Sequence, residues 1–145
     1  MKTNGGFLVT KIKQLGDRIF ERILAEKNID AFNGAQGRIL YVLWQEDGVP
    51  IKIISEKSGL AITSLTTMLE RMEKNGLISR KTDEADKRKT LLFLTDKAKE
   101  LKVAYYSVSN EMGNIYYRDF TDKEILQFEE YLNRIRVNLE EWSDK

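Results

Sequence analysis

Along residues 7–27, apolar residues recur every three to four positions: Leu8, Ile12, Leu15, Ile19 and Ile23, with Lys and Asp between them. That spacing places them on one face of an amphipathic helix. The stretch from Asn28 to Gly34 breaks the period. Residues 35–46, AQGRILYVLWQE, are apolar nearly all round in their later half, which predicts a second helix buried on several sides. DGVP at 47–50 ends it with turn chemistry and the chain's single proline, Pro50. Residues 51–76 read as a short helix over 51–57, a turn at Ser58-Gly59-Leu60, and a longer helix over 62–75. Gly59 and Gly76 supply the left-handed conformation that closes a helix. Two short helices around a glycine-containing turn form a helix-turn-helix pattern. In its second helix, Ile62, Leu65, Met68, Leu69 and Met72 are predicted to share the buried face. Thr63, Thr67, Glu70, Arg71 and Lys74 lie opposite.

The pattern then changes period. LISRKT at 77–82 and TLLFLT at 90–95 are strand-length and together predict a two-stranded β-hairpin. Its tip, 83–89, is longer than a tight turn and must protrude. Thr95 is placed to cap a following helix, with Asp96 in the first turn favouring its dipole. That helix is predicted to run to 118 and carries Leu101, Tyr105, Val108, Met112 and Ile115. Thr121 and Glu124 make a capping box for a last helix. There Ile125, Phe128, Leu132, Ile135, Leu139 and Trp142 step at the a/d spacing of a helical seam. The seam is predicted to pack against both the N-terminal helix and a second subunit.

This order predicts a mainly α fold with minor β. It is a single domain over 1–145, with a winged helix-turn-helix at 35–99 whose wing is the hairpin. Helices at 1–30 and 100–145 flank it for dimerisation, through Leu8, Ile12, Ile125, Phe128, Leu132, Ile135 and Leu139.

Composition narrows the chemistry. The chain has no cysteine and no histidine. The commonest general base and the usual transition-metal ligands are therefore missing. NGAQG at 33–37 lacks the spacing of a phosphate loop and no strand precedes it. No paired catalytic constellation is apparent, so the chain is not expected to be an enzyme or to need a cofactor. It has no run of 18 apolar residues and no signal-like N-terminus, so a cytoplasmic protein without a membrane partner is expected. Net charge is only +1, but its distribution is uneven. Residues 51–99 hold 11 Lys/Arg against 7 Asp/Glu, a net of +4, while the remainder holds 13 against 16, a net of −3. A basic reader on a neutral or acidic frame suits duplex DNA.

LTTMLERMEKNGLISR (65–80) and DKRKTLLFLT (86–95) carry a resemblance to the MarR-type bacterial transcriptional regulators. The second contains Asp86, Arg88, Leu94 and Thr95, which match that family's wing signature: Asp-x-Arg, five residues, then Leu-Thr. Element order extends the resemblance over essentially the whole chain. It implies a homodimer that binds a pseudo-palindromic operator, commonly as a repressor, and in many members lets go when a small lipophilic or phenolic effector binds. It further implies that the 62–75 helix enters the major groove, with Thr63, Ser64, Thr66, Thr67 and Arg71 facing DNA. Arg88 would enter the adjacent minor groove, braced by Asp86, which would also hold Arg80 across the hairpin. Lys87 and Lys89 flank it. Many relatives carry an arginine where Thr67 stands and a Ser or Thr cap where Ala61 stands. The family's cysteine-based peroxide sensing is excluded here.

Each assignment has a plainer competitor. A charged tip such as 83–89 is ordinarily a solvated loop; its place after a helix-turn-helix is what makes contact the favoured reading. Four hydroxyls in five helical positions could be surface, or Thr63 could be a cap. Phe20, Phe32, Tyr41, Trp44, Tyr105 and Tyr106 could line an effector pocket, although ordinary core packing suits any one of them better. The alternative for the whole chain is a winged-helix module that binds protein rather than an operator.

Overall fold

The computed structural model describes all of residues 1–145. Its elements follow the predicted order: α1 (Gly5–Glu26), α2 (Gly34–Gln45), β1 (Val49–Pro50), α3 (Ile51–Ser58), α4 (Ile62–Lys74), β2 (Ile78–Thr82), β3 (Thr90–Leu94), α5 (Asp96–Glu100), α6 (Lys102–Tyr116) and α7 (Asp122–Ser143). The chain divides into two units, Met1–Asn110 and Glu111–Lys145.

In the first unit, α2 packs on α3, α3 on α4, and α4 on β2. Ile39, Leu40, Leu43, Ile54, Leu65, Leu69, Met72, Leu77 and Leu92 are fully buried there. Burial of each such side chain contributes about 1.5–3 kcal/mol, so this three-helix and sheet core is what holds the helix-turn-helix. The turn itself is stitched. Gly59 closes α3 at φ 74°, the Ser55 hydroxyl donates to the Leu60 carbonyl at 2.7 Å, and the Leu60 N–H donates to the Ser58 hydroxyl at 3.2 Å. α4 ends in a Schellman motif: Gly76 (φ 75°) donates to Glu73 O and Leu77 to Met72 O. α2 begins with a capping box in which Asn33 and Gln36 exchange hydrogen bonds. Asn33 to Gln36 is therefore helix-start chemistry, in a stretch whose spacing fails as a phosphate loop.

Two predictions are corrected. The wing is a three-stranded antiparallel sheet in the order β1-β3-β2, not a two-stranded hairpin. Val49 pairs with Leu92 and Pro50 with Leu91. Proline has no N–H to donate and is tolerated here because β1 is an edge. Gly48 (φ 69°) donates to Leu92 O, and the Asp47 carboxylate accepts the Leu94 N–H at 2.8 Å. The DGVP segment is thus both the helix terminator and the anchor of a strand.

The helix predicted from Thr95 to 118 is interrupted at Leu101. Its N–H bonds back only three residues, to Ala98 O, and the same carbonyl accepts the Trp44 indole N–H at 3.2 Å. A side chain entering the helical ladder is a recognised cause of such a break. Thr95 caps α5 as predicted, accepting from Ala98 N–H.

In the second unit, α7 starts at the predicted capping box, Thr121 with Glu124. The Tyr117 hydroxyl donates to Glu129 at 2.6 Å, and its ring meets Tyr116, Phe120 and Phe128 edge-on. No residue of α7 is buried. No helix of the chain is long and apolar enough to cross a membrane.

Candidate nucleic-acid interface

α4 sorts its residues by period. Leu65, Leu69 and Met72 are fully buried, while Thr63, Ser64, Thr66, Thr67, Glu70, Arg71 and Lys74 are exposed. The predicted hydroxyl face is therefore a surface of the first unit. Ile62 departs from the prediction: it is 48% exposed rather than part of the core face. It occupies the first helical position, where the chain has not yet come over the buried side. Thr63 is not the cap; the N-cap is Ala61, which has no side chain to satisfy the first amides. No side chain caps those amides, and a helix N-terminus in that state suits a phosphate. Thr66 spends its hydroxyl proton inside the helix, on Ile62 O at 3.1 Å.

The wing tip is ordered by its own acids. The Asp83 carboxylate accepts the Ala85 N–H, Asp83 N–H donates to Lys89 O, and Lys89 N–H donates to Asp86 O. Asp86 then clamps Arg88 three times. Its Oδ1 accepts the Arg88 backbone N–H at 3.1 Å and Nε–H at 3.0 Å, and its Oδ2 accepts from Nη2 at 3.2 Å. The side-chain hydrogen bond from Arg88, followed by the backbone one, lowers the Asp86 pKa below the ordinary carboxylate value. The same pair raises that of Arg88. The Arg88 side chain is nevertheless 90% exposed. Exposed ion pairs add little stability, so the physical result of this clamp is a guanidinium held outward in a defined direction. Lys87 and Lys89 beside it are exposed. Arg80 does not join Asp86: its Nε lies 3.3 Å from Glu73 Oε1, which ties the base of β2 to α4. Sequence gave Glu73 no role, because that pairing joins two elements only after they pack.

The six aromatic residues do come together. Tyr105 is the hub, with Phe20, Phe32, Tyr41, Trp44 and Tyr106 all within 5.3–6.1 Å between ring centroids. Burial pushes the Tyr105 phenol pKa up, with Arg38 acting the other way. Of these rings only Phe32 is buried; Phe20, Trp44, Tyr105 and Tyr106 are half-buried and Tyr41 is exposed. Of the residues expected at a dimer face, Leu8, Ile12, Leu132, Ile135 and Leu139 are exposed and Ile125 and Phe128 are half-buried. No three His, Cys, Asp or Glu side chains gather to hold a metal.

Comparison with known proteins places this geometry. The MarR family profile matches residues 32–90. The chain is similar to the HTH-type transcriptional regulator TtmR of Methylorubrum extorquens (strain PA1), 41% identical over 64 residues that cover 44% of this chain and 33% of that protein. It is also 41% identical over 63 residues to the organic hydroperoxide resistance transcriptional regulator of Bacillus subtilis (strain 168), covering 43% of each. The match thus spans less than half the length of these two relatives. Among solved structures, a mutant MarR from E. coli complexed with operator DNA aligns at TM-score 0.80 and 21% identity, over 90% of this chain and 91% of that one. The MarR family match thus covers the helix-turn-helix and the wing up to Thr90, and the fold is shared with the solved MarR structure.

Proposed function

We propose that the chain is a sequence-specific DNA-binding transcriptional regulator, a repressor by its family resemblance, that grips a pseudo-palindromic operator as a homodimer. The observation that carries the reading is the wing tip: an exposed Arg88 held outward by a bidentate Asp86, between two exposed lysines. A narrow minor groove concentrates negative potential and favours a planar, weakly hydrated guanidinium. On the same unit, α4 offers an uncapped N-terminus and the hydroxyls of Thr63, Ser64 and Thr67, with Arg71 further along. An α-helix fits the major groove, and N-terminal residues of such a helix reach base edges. Exposed Leu8 and Ile12 on α1, and Leu132, Ile135 and Leu139 on α7, supply apolar surface for self-association. A dimer would space its two reading helices about one DNA turn apart, roughly 34–36 Å. Release by a small lipophilic or phenolic effector completes the reading, and the rings around Tyr105 supply apolar, stacking surface for it.

The test is Arg88→Ala on an operator selected from random duplexes. The variant should bind at least tenfold more weakly at moderate salt, and its salt dependence should be shallower by about 1–2 in log–log slope for two wings per dimer. Its sedimentation should match wild type. Equal affinity at moderate salt would remove the wing assignment, and failure to select any duplex would remove the operator.

A further inference from the structure

We infer that α4 reads thymine methyl groups rather than guanine, with Ile62 as the specificity-determining contact; the inference rests on the operator-binding reading above. Ile62 opens α4 and is 48% exposed, while Leu65, Leu69 and Met72 of the same helix are fully buried. A single exposed isoleucine is ordinary on any surface. Its neighbours give this one a use. From Ala61 to Leu69 the chain reads AITSLTTML, without a charged or amide side chain. The side chains that pair bidentately with guanine are Arg and Lys, and those that pair with adenine are Asn and Gln. None stands in the first two turns, the part of a reading helix that reaches base edges. Arg71 is nine residues past Ile62, about 13 Å along the axis, which places it toward the backbone rather than the bases.

What remains in those turns is methyl and hydroxyl. Thr66 has committed its hydroxyl proton to Ile62 O, so toward a ligand it offers its methyl and one acceptor. Thr63, Ser64 and Thr67 have hydroxyls that donate or accept, and such groups pair with either kind of base edge. Discrimination therefore falls to apolar contact. The C5 methyl of thymine is the apolar feature that a major-groove base edge presents. Ile62, with Thr66 one turn later, forms the apolar patch that meets it. The operator half-site beneath α4 accordingly holds at least one thymine whose methyl is buried against Ile62.

The experiment uses the full chain and a duplex selected from a random library. Each half-site thymine is replaced in turn by deoxyuridine, which removes the C5 methyl and keeps base pairing. For the wild type, at least one replacement should weaken binding by about fourfold, the effect of one buried methyl. Ile62→Ala should bind that thymine and deoxyuridine duplex equally, and Ile62→Val should keep part of the discrimination. Thermal melting checks that both variants fold, as the exposure of Ile62 leads one to expect. If every deoxyuridine duplex binds wild type as tightly as its parent, the inference is overturned while operator binding stands. A selected half-site whose essential contact is a guanine, abolished by 7-deazaguanine, overturns it in the same way. If no duplex is enriched at all, operator binding fails and this inference falls with it.

Discussion

Replacing Gly37 by alanine sets two effects of known sign against each other. Gly37 lies inside α2 without a positive φ, so on helix propensity alone alanine should stabilise by about 1 kcal/mol. The space is not there. A Cβ at Gly37 would stand 2.9 Å from Tyr105 Cε1, 3.1 Å from Cδ1 and 3.3 Å from Phe32 Cδ2. Tyr105 cannot swing freely, because Phe20, Tyr41, Trp44 and Tyr106 surround it. Overpacking of this kind costs about 1–3 kcal/mol, and two rings held by four others put it toward the upper end. The expected net loss is about 1–2 kcal/mol after the propensity gain. For a chain of this length that lowers the melting temperature by roughly 2–8 °C. The assay is urea and thermal unfolding at fixed protomer concentration, since self-association would otherwise move the midpoint. Gly37→Ala should also be measured in a Tyr105→Leu background. With the ring gone, the same substitution should become neutral or stabilising. A stabilising Gly37→Ala in the wild-type background would refute the ring contact and with it the tight hub at Tyr105.

Two further outcomes concern protonation. Burial, then the hydrogen bond to Glu129, pushes the Tyr117 pKa up to about 12. A tyrosine raised in the folded state contributes stability that is complete below its unfolded pKa of roughly 10 and is lost as pH rises from there through about 12. Ultraviolet titration of wild type minus Tyr117→Phe should show one phenolate forming near the upper value; a difference midpoint near the ordinary tyrosine value would contradict the Glu129 bond. Asp86 behaves in the opposite sense. Its pKa is lowered, so its brace on Arg88 is complete above the ordinary aspartate value and fades as pH falls through the lower folded one. Asp86→Asn keeps an acceptor for the Arg88 N–H but loses the charge. The heteronuclear NOE of the Arg88 Nε group at neutral pH should then fall below its wild-type value as side-chain motion increases; unchanged relaxation would mean the clamp does not order the guanidinium.

Much of the candidate site was legible along the chain. The tip 83–89 was placed between two strands by period alone, and Asp86 and Arg88 are two residues apart, so their pairing is local chemistry. The burial of Leu65, Leu69 and Met72 and the exposure of Thr63, Ser64, Thr66 and Thr67 follow from a repeat of 3.6 residues. Gly59, Gly76, Thr95 and Thr121 announced helix ends through steric freedom or a hydroxyl at the right offset. Where period failed it did so at an end: Ile62 has the spacing of a core residue, yet the first turn of α4 is not covered by the rest of the unit.

Residue pattern alone thus settled most of the elements, their order, most of the faces they bury and the local pairing at the wing, because each depends on neighbours within a few positions. Packing settled the rest. Arg80 turns to Glu73, not Asp86. Pro50 becomes the edge of a third strand, set by Leu91 and Leu92. The Trp44 indole, 54 residues from Ala98, claims the carbonyl at which the long helix breaks. Five scattered aromatics converge on Tyr105. Each of these needs two distant segments at contact distance, and a hydrophobic period says which face is buried without saying what meets it.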